Sequence, residues 1–428
     1  MKRQLFFLVL AFGVLAQASA QDSVAGRSLD VDEAVRIALD NNLGLQRNAL
    51  DLGGKQRAAD RSWNSLIPSL SASATASHSA PVIGAMPAGQ DAWTPGVQLS
   101  ASLTLSTATF ENIKKARADY EAGVLTFEQA RQELELQVRK LFYQLILLDA
   151  NRDLAAKSLE SARVRYEQSA ALARAGQVSR LDELSAQVDM ENQKPTLRNA
   201  ETAYANAVDS FKALLGIPGD EPLILNGTLD YAGAADTDGI TRGEPFKSSE
   251  SFESAALLKS IETLEIQRRA ARNSAYIPSL RLSWNSAPTY RNDAWNDNAG
   301  SFSLILGLNL DNFLPWSSAK TQIDDLDSRI ATAQIQLAES RQNQETRTAQ
   351  YRRTIEKSRE TIEALKLNVE LAQTAYEMYE DAYRKGAADY QRLRDAGDSL
   401  LQAQNRVQQE QYNLISALLD FEQMTIND

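Results

Sequence analysis

The 428-residue sequence contains no cysteine and a single histidine, His78. The absence of cysteine excludes disulfides, thiolate metal sites and a lipid anchor on a cysteine. One histidine gives no basis for a histidine metal site, and no carboxylate stands in a motif with a nucleophile, a metal-ligand set or a phosphate loop. We therefore expect a protein that is not an enzyme and that binds no metal and no cofactor.

Long apolar runs are also lacking, except at the N-terminus. There, Lys2 and Arg3 precede the apolar stretch 5–16, and Ala18-Ser19-Ala20 has the form of a cleavage site. This pattern predicts a signal peptide over residues 1–20, because the stretch is shorter than the about 20 residues of a membrane span. We expect an exported chain that can contact a membrane only through strands. Its net charge of −11 argues against nucleic-acid binding, which requires a basic surface.

Glycine and proline are sparse, and both are missing from residues 124–175 and 316–385. Because these residues interrupt helices most, the stretches predict long helices over 110–175 and 316–385, each about 100 Å long at 1.5 Å per residue. Their apolar positions follow a seven-residue period, which indicates coiled-coil packing. Returning helices are predicted over 179–215 and 389–422, and Pro195 should kink or interrupt the first of them.

The sequence carries an internal duplication. Ile67-Pro68-Ser69-Leu70 recurs 210 residues later as Ile277-Pro278-Ser279-Leu280, and Arg174-Ala175-Gly176 is matched at the same offset by Arg384-Lys385-Gly386. We therefore expect a first repeat over residues 21–215, a linker over 216–247 that is rich in turn-forming residues, and a second repeat over 248–428. A short strand is expected inside the linker at residues 223–225.

Each repeat contains two amphipathic strands, predicted at 69–78 and 97–107 and at 278–287 and 301–311. Apolar and polar residues alternate with period two, as in Val97, Leu99 and Ala101 against Gln98 and Ser100. Strands of about 9–11 residues cross a bilayer, and aromatic residues near strand ends favour its interfaces. Such aromatics stand at Trp93, Trp295, Phe313 and Trp316. The alternative is a soluble sheet with one packed face, but no helix of the predicted set is free to cover it.

Four strands cannot close a barrel, and an open sheet edge is not tolerated in lipid. Since known barrels begin at about eight strands, the chain should oligomerise. Two copies would supply eight strands and three copies twelve.

The order of these motifs resembles the TolC family of outer-membrane efflux proteins. The resemblance rests on the entry segment Ser28–Asn42, on the two Ile-Pro-Ser-Leu motifs, and on the glycine turn followed by Leu181-Asp182-Glu183-Leu184-Ser185-Ala186-Gln187. It implies a mostly helical α+β membrane protein, a homotrimer whose twelve-stranded outer-membrane β-barrel continues as a helical barrel through the periplasm. It further implies an outer-membrane channel subunit of a tripartite efflux or type I secretion system, a passive export conduit that contacts outer-membrane lipid and works with a periplasmic adaptor and an inner-membrane pump.

The resemblance also suggests site residues. Asp182 and Asp395 fall on positions that line the periplasmic constriction in the family, and Arg392 replaces a family carboxylate. Gly176 and Gly386 fall on the tip turns that contact the adaptor. From the residues alone, a ring of carboxylates would repel and draw nearby arginines into pairs, while solvated charges at an exposed tip are the alternative.

A second function stays open at this point. The heptads alone would suit a structural coiled-coil protein or adhesin that spans the periplasm without a pore. That alternative leaves the alternation of the strands without a purpose.

Overall fold

The computed structural model describes residues 27–78, 93–229, 251–291, 294–296 and 300–425. The predicted signal peptide and most of the predicted linker lie outside them. Its helices are α1 (Val31–Asn41), α2 (Leu43–Asp60), α3 (Thr107–Arg174), α4 (Arg180–Leu215), α5 (Phe252–Tyr276), α6 (Ser318–Arg384) and α7 (Tyr390–Thr425). Its strands are β1 (Arg27–Leu29), β2 (Ser69–His78), β3 (Trp93–Leu105), β4 (Leu223–Leu225), β5 (Ser279–Ser286), β6 (Thr289–Arg291), β7 (Ala294–Asn296) and β8 (Ser301–Gly307).

The two halves of the chain repeat the same order of elements. In each half a helix leads into two long strands, a helix of nearly seventy residues and a returning helix of 36 residues. Strand β3 begins four residues before the predicted start. Strand β8 ends at Gly307, four residues before the predicted end, because Leu310–Phe313 forms a short 3-10 helix. The hairpin of β6 and β7 between β5 and β8 was not predicted.

The four long strands form one antiparallel sheet in the order β2, β3, β5, β8. Its register pairs apolar with apolar residues: Ala72 lies opposite Leu99, and Leu282 lies between Leu103 and Leu304. Directly paired residues share a face of an antiparallel sheet. The sheet therefore has one apolar face and one face rich in serine and threonine.

Serine caps begin both long helices, and glycine turns end them. Ser106 accepts a hydrogen bond from the Thr109 amide, and Ser317 accepts one from the Lys320 amide. At the other end, Gly176 and Gly386 adopt φ values of 73° and 70°, which residues with a β-carbon rarely adopt. The chain can therefore reverse sharply into α4 and α7.

The shorter helices stack end to end along the long ones. Helix α4 is followed by Gly216, which adopts the left-handed conformation and lies against the backbone of Asn41. The Asn42 side-chain amide donates to the Leu214 carbonyl at 2.9 Å. Helix α3 thus packs against α2 near the sheet and against α4 towards the Gly176 turn. We call the turns at Gly176 and Gly386 the first and second tips. The predicted interruption at Pro195 is wrong, because α4 runs through that residue as one helix.

Among the described residues, the largest apolar core lies near the middle of α3, where α1 packs between α3 and α4. We call this region the waist. Val138, Phe142, Phe211 and Leu215 are buried there, together with α1 residues such as Ala38. The parallel pair of β1 and β4 closes this waist, with Arg27 opposite Leu223. The strand predicted in the linker is confirmed as β4, whereas its partner β1 was not foreseen.

Candidate functional site at the sheet faces and hairpin tips

The apolar face of the sheet is uncovered. On one edge strand Leu70 is 81% exposed, and on the other edge strand Leu306 is 72% exposed, with Phe302 and Leu304 of the same strand also exposed. None of the helices α1–α7 packs extensively against the four long strands, and the short 3-10 helix Ser62–Leu66 contacts β3. A contiguous apolar surface of this kind marks a contact with lipid or protein.

Aromatic residues stand at both ends of this face. Trp93 and Trp295 lie at the end away from the helices, where the Trp295 ring is 5.6 Å from that of Tyr290. Phe313 and Trp316 lie at the helical end, where the Phe313 ring is 5.4 Å from that of Tyr276. All four predicted aromatics are exposed, in the arrangement that suits the two interfaces of a bilayer.

The opposite face is lined by hydroxyl groups that bond across the strands. Ser71 and Ser100 oxygens lie 2.6 Å apart, and Ser283 and Ser303 oxygens lie 2.7 Å apart. The two faces of the sheet therefore differ in chemistry, one apolar and one suited to contact with water.

Both outer edges of the sheet are unpaired in the described part of the chain. Strand β2 pairs only with β3, and β8 pairs only with β5. Because strand directions alternate across the four strands, β2 and β8 run in opposite directions. A β8 edge can therefore pair in antiparallel fashion with the β2 edge of another copy.

At the first tip, Asp182 forms part of a helix cap. Its carboxylate accepts from the Ser179 amide at 3.1 Å, and the Ser179 hydroxyl accepts from the Asp182 amide at 3.1 Å. This reciprocal pair is a capping box, which fixes the start of α4. The carboxylate stays partly exposed beside the Gly176 turn.

At the second tip, Asp389 takes the capping position, because its carboxylate accepts from the Arg392 amide at 2.9 Å. Asp395 accepts from the Gln391 side chain at 2.8 Å and is exposed. Arg392 is also exposed, with its guanidinium 3.8 Å from Asp389.

The arginines of both tips pair locally. Arg180 pairs with Glu183, Arg384 with Asp381 and Arg394 with Asp398. Among the described ion pairs, none joins an arginine to Asp182 or Asp395. Both carboxylates therefore stay available at the tip surface, and the expected pairing with arginines is not found within this single chain.

A buried polar cluster, Arg165, Asp189 and Tyr390, joins the two hairpins just above the tips. Arg165 and Tyr390 both donate to the same Asp189 oxygen, at 3.2 and 3.1 Å. The Arg165 and Asp189 side chains are only 11% and 7% exposed. The cluster therefore ties α3 and α4 of the first repeat to α7 of the second.

The surroundings hold Tyr390 in its neutral form. Burial raises its pKa to about 12, and the Asp189 carboxylate adds to the rise. Nearby, the Tyr383 hydroxyl lies 2.6 Å from that of Ser169, and burial also raises the Tyr383 pKa. Both tyrosines are thus hydrogen-bonding bridges between the hairpins.

This cluster was missed in the sequence. A usable signal existed: Asp189 lies three residues after the buried Ala186, on the same helix face, and Arg165 precedes the heptad residue Tyr166. A charge on the packed face of a coiled coil demands a buried partner. Arg165 lies 24 residues before Asp189 on the other helix of the same hairpin, and Tyr390 lies 201 residues after it on α7, so no local pattern shows that the three meet.

The described helices include none long and apolar enough to cross a membrane. The described residues also hold no group of three or more histidine, aspartate or glutamate side chains that could bind a metal ion.

Comparison with known proteins agrees with this geometry. Residues 34–217 match the family model of outer membrane efflux proteins. No curated protein sequence matches the chain closely enough to count as a relative.

Solved structures share the fold over 92% of the chain. The outer-membrane channel OprN is 16% identical, with 89% of its own chain covered and a TM-score of 0.74. The CmeC outer membrane channel of Campylobacter jejuni is 15% identical, with 85% covered and a TM-score of 0.74. The open state of the MtrE outer membrane channel of Neisseria gonorrhoeae is 19% identical, with 88% covered and a TM-score of 0.70.

The fold is therefore that of the outer-membrane channel proteins, with a sheet of four long strands continued by long helical hairpins. The match to the model of the outer membrane efflux proteins covers less than half of the chain, so it is the first repeat that resembles this family in sequence.

Proposed function

We propose that the chain is the outer-membrane channel subunit of a tripartite efflux or type I secretion system, a passive conduit for export. The observation that carries the proposal is the open sheet, with an exposed apolar face, a hydroxyl-lined face and two unpaired edges. Three copies joined edge to edge would supply twelve strands. The apolar face would then meet lipid and the hydroxyl-lined face would surround water.

The aromatic residues fit the same arrangement. Trp93 and Trp295 would lie at one interface of the outer membrane, and Phe313 and Trp316 at the other. The helical hairpins would then project about 100 Å into the periplasm, since α3 contains 68 residues.

The tips would form the periplasmic mouth, in contact with a periplasmic adaptor and, through it, an inner-membrane pump. In a trimer, Asp182 and Asp395 would each occur three times and attract cations. Arg392, three residues before Asp395, would add a positive charge at the second tip. The turns at Gly176 and Gly386 expose backbone, and nothing lies within 4 Å of a β-carbon added at either. A partner helix could therefore approach them closely.

Planar-bilayer recording tests this proposal. The purified protein should give single-channel conductance, and the competing proposal, a structural coiled coil or adhesin without a pore, requires none. Reproducible insertion without any conductance would contradict the channel.

The role of Asp182 can be tested in the same recordings. Asp182→Asn removes the charge and keeps an oxygen that can accept from the Ser179 amide, so we expect a lower cation preference. Ser179→Ala is the matched control, because it removes the capping hydroxyl, at a cost of about 1 kcal/mol, and keeps the carboxylate. An unchanged cation preference in Asp182→Asn would remove this residue from the mouth.

A further inference from the structure

Within the four long strands, the hydroxyl-lined face of the sheet carries one full charge. Among the residues of β2, β3, β5 and β8, only Arg281 is charged at neutral pH. Around it the face consists of serine and threonine, with Gln98 and Asn285 as its larger amides. Arg281 is thus both the only full charge and the longest side chain on this face of the four strands.

Its position lies at the junction between the sheet and the helices. Arg281 is the third residue of β5, directly opposite Thr104 on β3 and Ile305 on β8. The side chain is exposed, and no carboxylate of the described residues forms an ion pair with it. Its charge is therefore not neutralised by any residue that the structure describes.

The register also explains the one exception to the alternation of β8. Ile305 is the only large apolar residue on the polar face of that strand, and it stands directly across from Arg281. Cross-strand pairs have β-carbons about 4.5–5.5 Å apart, so the arginine methylenes can rest on the isoleucine. The arginine stem then has apolar support, and its charged end extends away from the sheet.

We propose that Arg281 sets the charge selectivity of the strand section and favours anionic solutes or the anionic groups of an exported molecule. This inference rests on the proposed trimeric channel, in which three copies of Arg281 would form a ring of positive charge around the aqueous lumen. Rings of arginine or lysine favour anions in pores. The surrounding hydroxyl groups supply hydrogen bonds but no opposing charge.

The arginine ring would act separately from the acidic tips. The length of α3 separates Arg281 from Asp182 by about 100 Å, whereas charges in salt solution are screened within about 8–10 Å. The conduit would therefore have a cation-attracting mouth and an anion-attracting junction in series.

The test is the reversal potential of single channels in a potassium chloride gradient. Because the tip is in series with the junction, the variants are compared in a background carrying Asp182→Asn and Asp395→Asn. Arg281→Gln should shift the reversal potential towards that of potassium, and Arg281→Glu should shift it further. Arg281→Lys keeps the charge and should leave the potential unchanged, which also controls for folding.

The outcomes separate this inference from the proposed function. Equal reversal potentials in the Arg, Gln and Glu channels would overturn the role of Arg281 while conductance upholds the channel. A shift in Arg281→Lys as large as in Arg281→Gln would also overturn it, since shape rather than charge would then be responsible. Absence of conductance in the unsubstituted protein would overturn both.

Discussion

At the scale of single residues, the buried cluster of Arg165, Asp189 and Tyr390 combines a charge pair with a hydrogen bond from the other repeat. A buried guanidinium is stable only with a partner, and Asp189 provides it while also accepting from Tyr390. The cluster joins the two repeats near the tips, close to the hydroxyl contact between Ser169 and Tyr383. Its contribution can be measured because each member can be replaced separately.

Asp189→Ala should weaken the tip by about 3–5 kcal/mol, because it leaves the Arg165 charge buried and unpaired. The double variant Arg165→Met with Asp189→Leu should recover most of this loss. Hydrogen exchange of the backbone amides in the last turns of α3 and the first turns of α7 measures the effect.

The control for that experiment is Glu167→Ala, which removes one of the two carboxylate partners of the exposed Arg163. It should change exchange little, because exposed ion pairs contribute little. Equal exchange in Asp189→Ala and Glu167→Ala would show that the cluster does not hold the tip.

The pKa of Tyr390 predicts how the tip responds to alkali. Its folded pKa, about 12, lies above the ordinary value of 10, so folding favours the protonated hydroxyl. The stabilisation from this protonated hydroxyl is therefore fully present below pH 10 and is lost as the pH rises to about 12, where the hydroxyl ionises and no longer donates to Asp189. The ultraviolet absorbance of tyrosinate is measured against pH in the protein and in Tyr390→Phe. The difference between the two curves should show one tyrosine ionising near pH 12. A midpoint near 10 would contradict the burial of this hydroxyl.

At the scale of elements, the sequence predicts those parts whose cause is local. The seven-residue period and the lack of glycine and proline predict α3 and α6 to within three residues at either end, since a helix depends on neighbours along the chain. Period-two alternation likewise locates the four strands, whose two faces differ as expected.

Elements that depend on residues far away in the sequence could not be predicted in this way. Strand β1 exists because β4 lies beside it, almost two hundred residues later in the chain. The contact of Tyr390 with Asp189 depends on how the two hairpins pack against each other, which no local pattern specifies. The end of β8 depends on the 3-10 helix beyond it, where the Asn312 side chain donates to the Ala275 carbonyl of α5.

The two glycine turns give a prediction at this scale. Gly176→Ala and Gly386→Ala should each destabilise a tip by about 1–2 kcal/mol, because a β-carbon disfavours the left-handed conformation. Hydrogen exchange in the adjoining helix ends should rise in both variants.

Gly219→Ala is the matched control, since nothing lies within 4 Å of its added β-carbon and its φ is not positive. It should leave exchange at the tips unchanged. If the Gly176→Ala and Gly386→Ala variants exchanged as slowly at the tips as the unsubstituted protein, the turns would relax into another conformation without cost.

At the scale of the whole molecule, the unpaired edges predict assembly. Strands β2 and β8 stand three strand spacings apart, about 14 Å at 4.7–4.9 Å each, which is too far for a disulfide within one chain. The chain has no native cysteine, so introduced thiols react only with each other.

Ser71→Cys combined with Ser301→Cys or Ser303→Cys should therefore crosslink neighbouring copies under oxidation. Denaturing gels should then show covalent dimers and trimers, and each single variant alone should stay monomeric. Crosslinks that stop at dimers would contradict three-fold closure through these edges.

The parallel pair of β1 and β4 has a consequence for the order in which the chain can fold during export. Every residue of the waist core lies between Leu29 and Leu225, so nothing from the second repeat is needed to complete it. The first half can therefore close its waist while the second half is still emerging from the export machinery, as N-terminal units generally fold first. The later strands β5 and β8 then meet an already formed β3 at the far end of a finished first half.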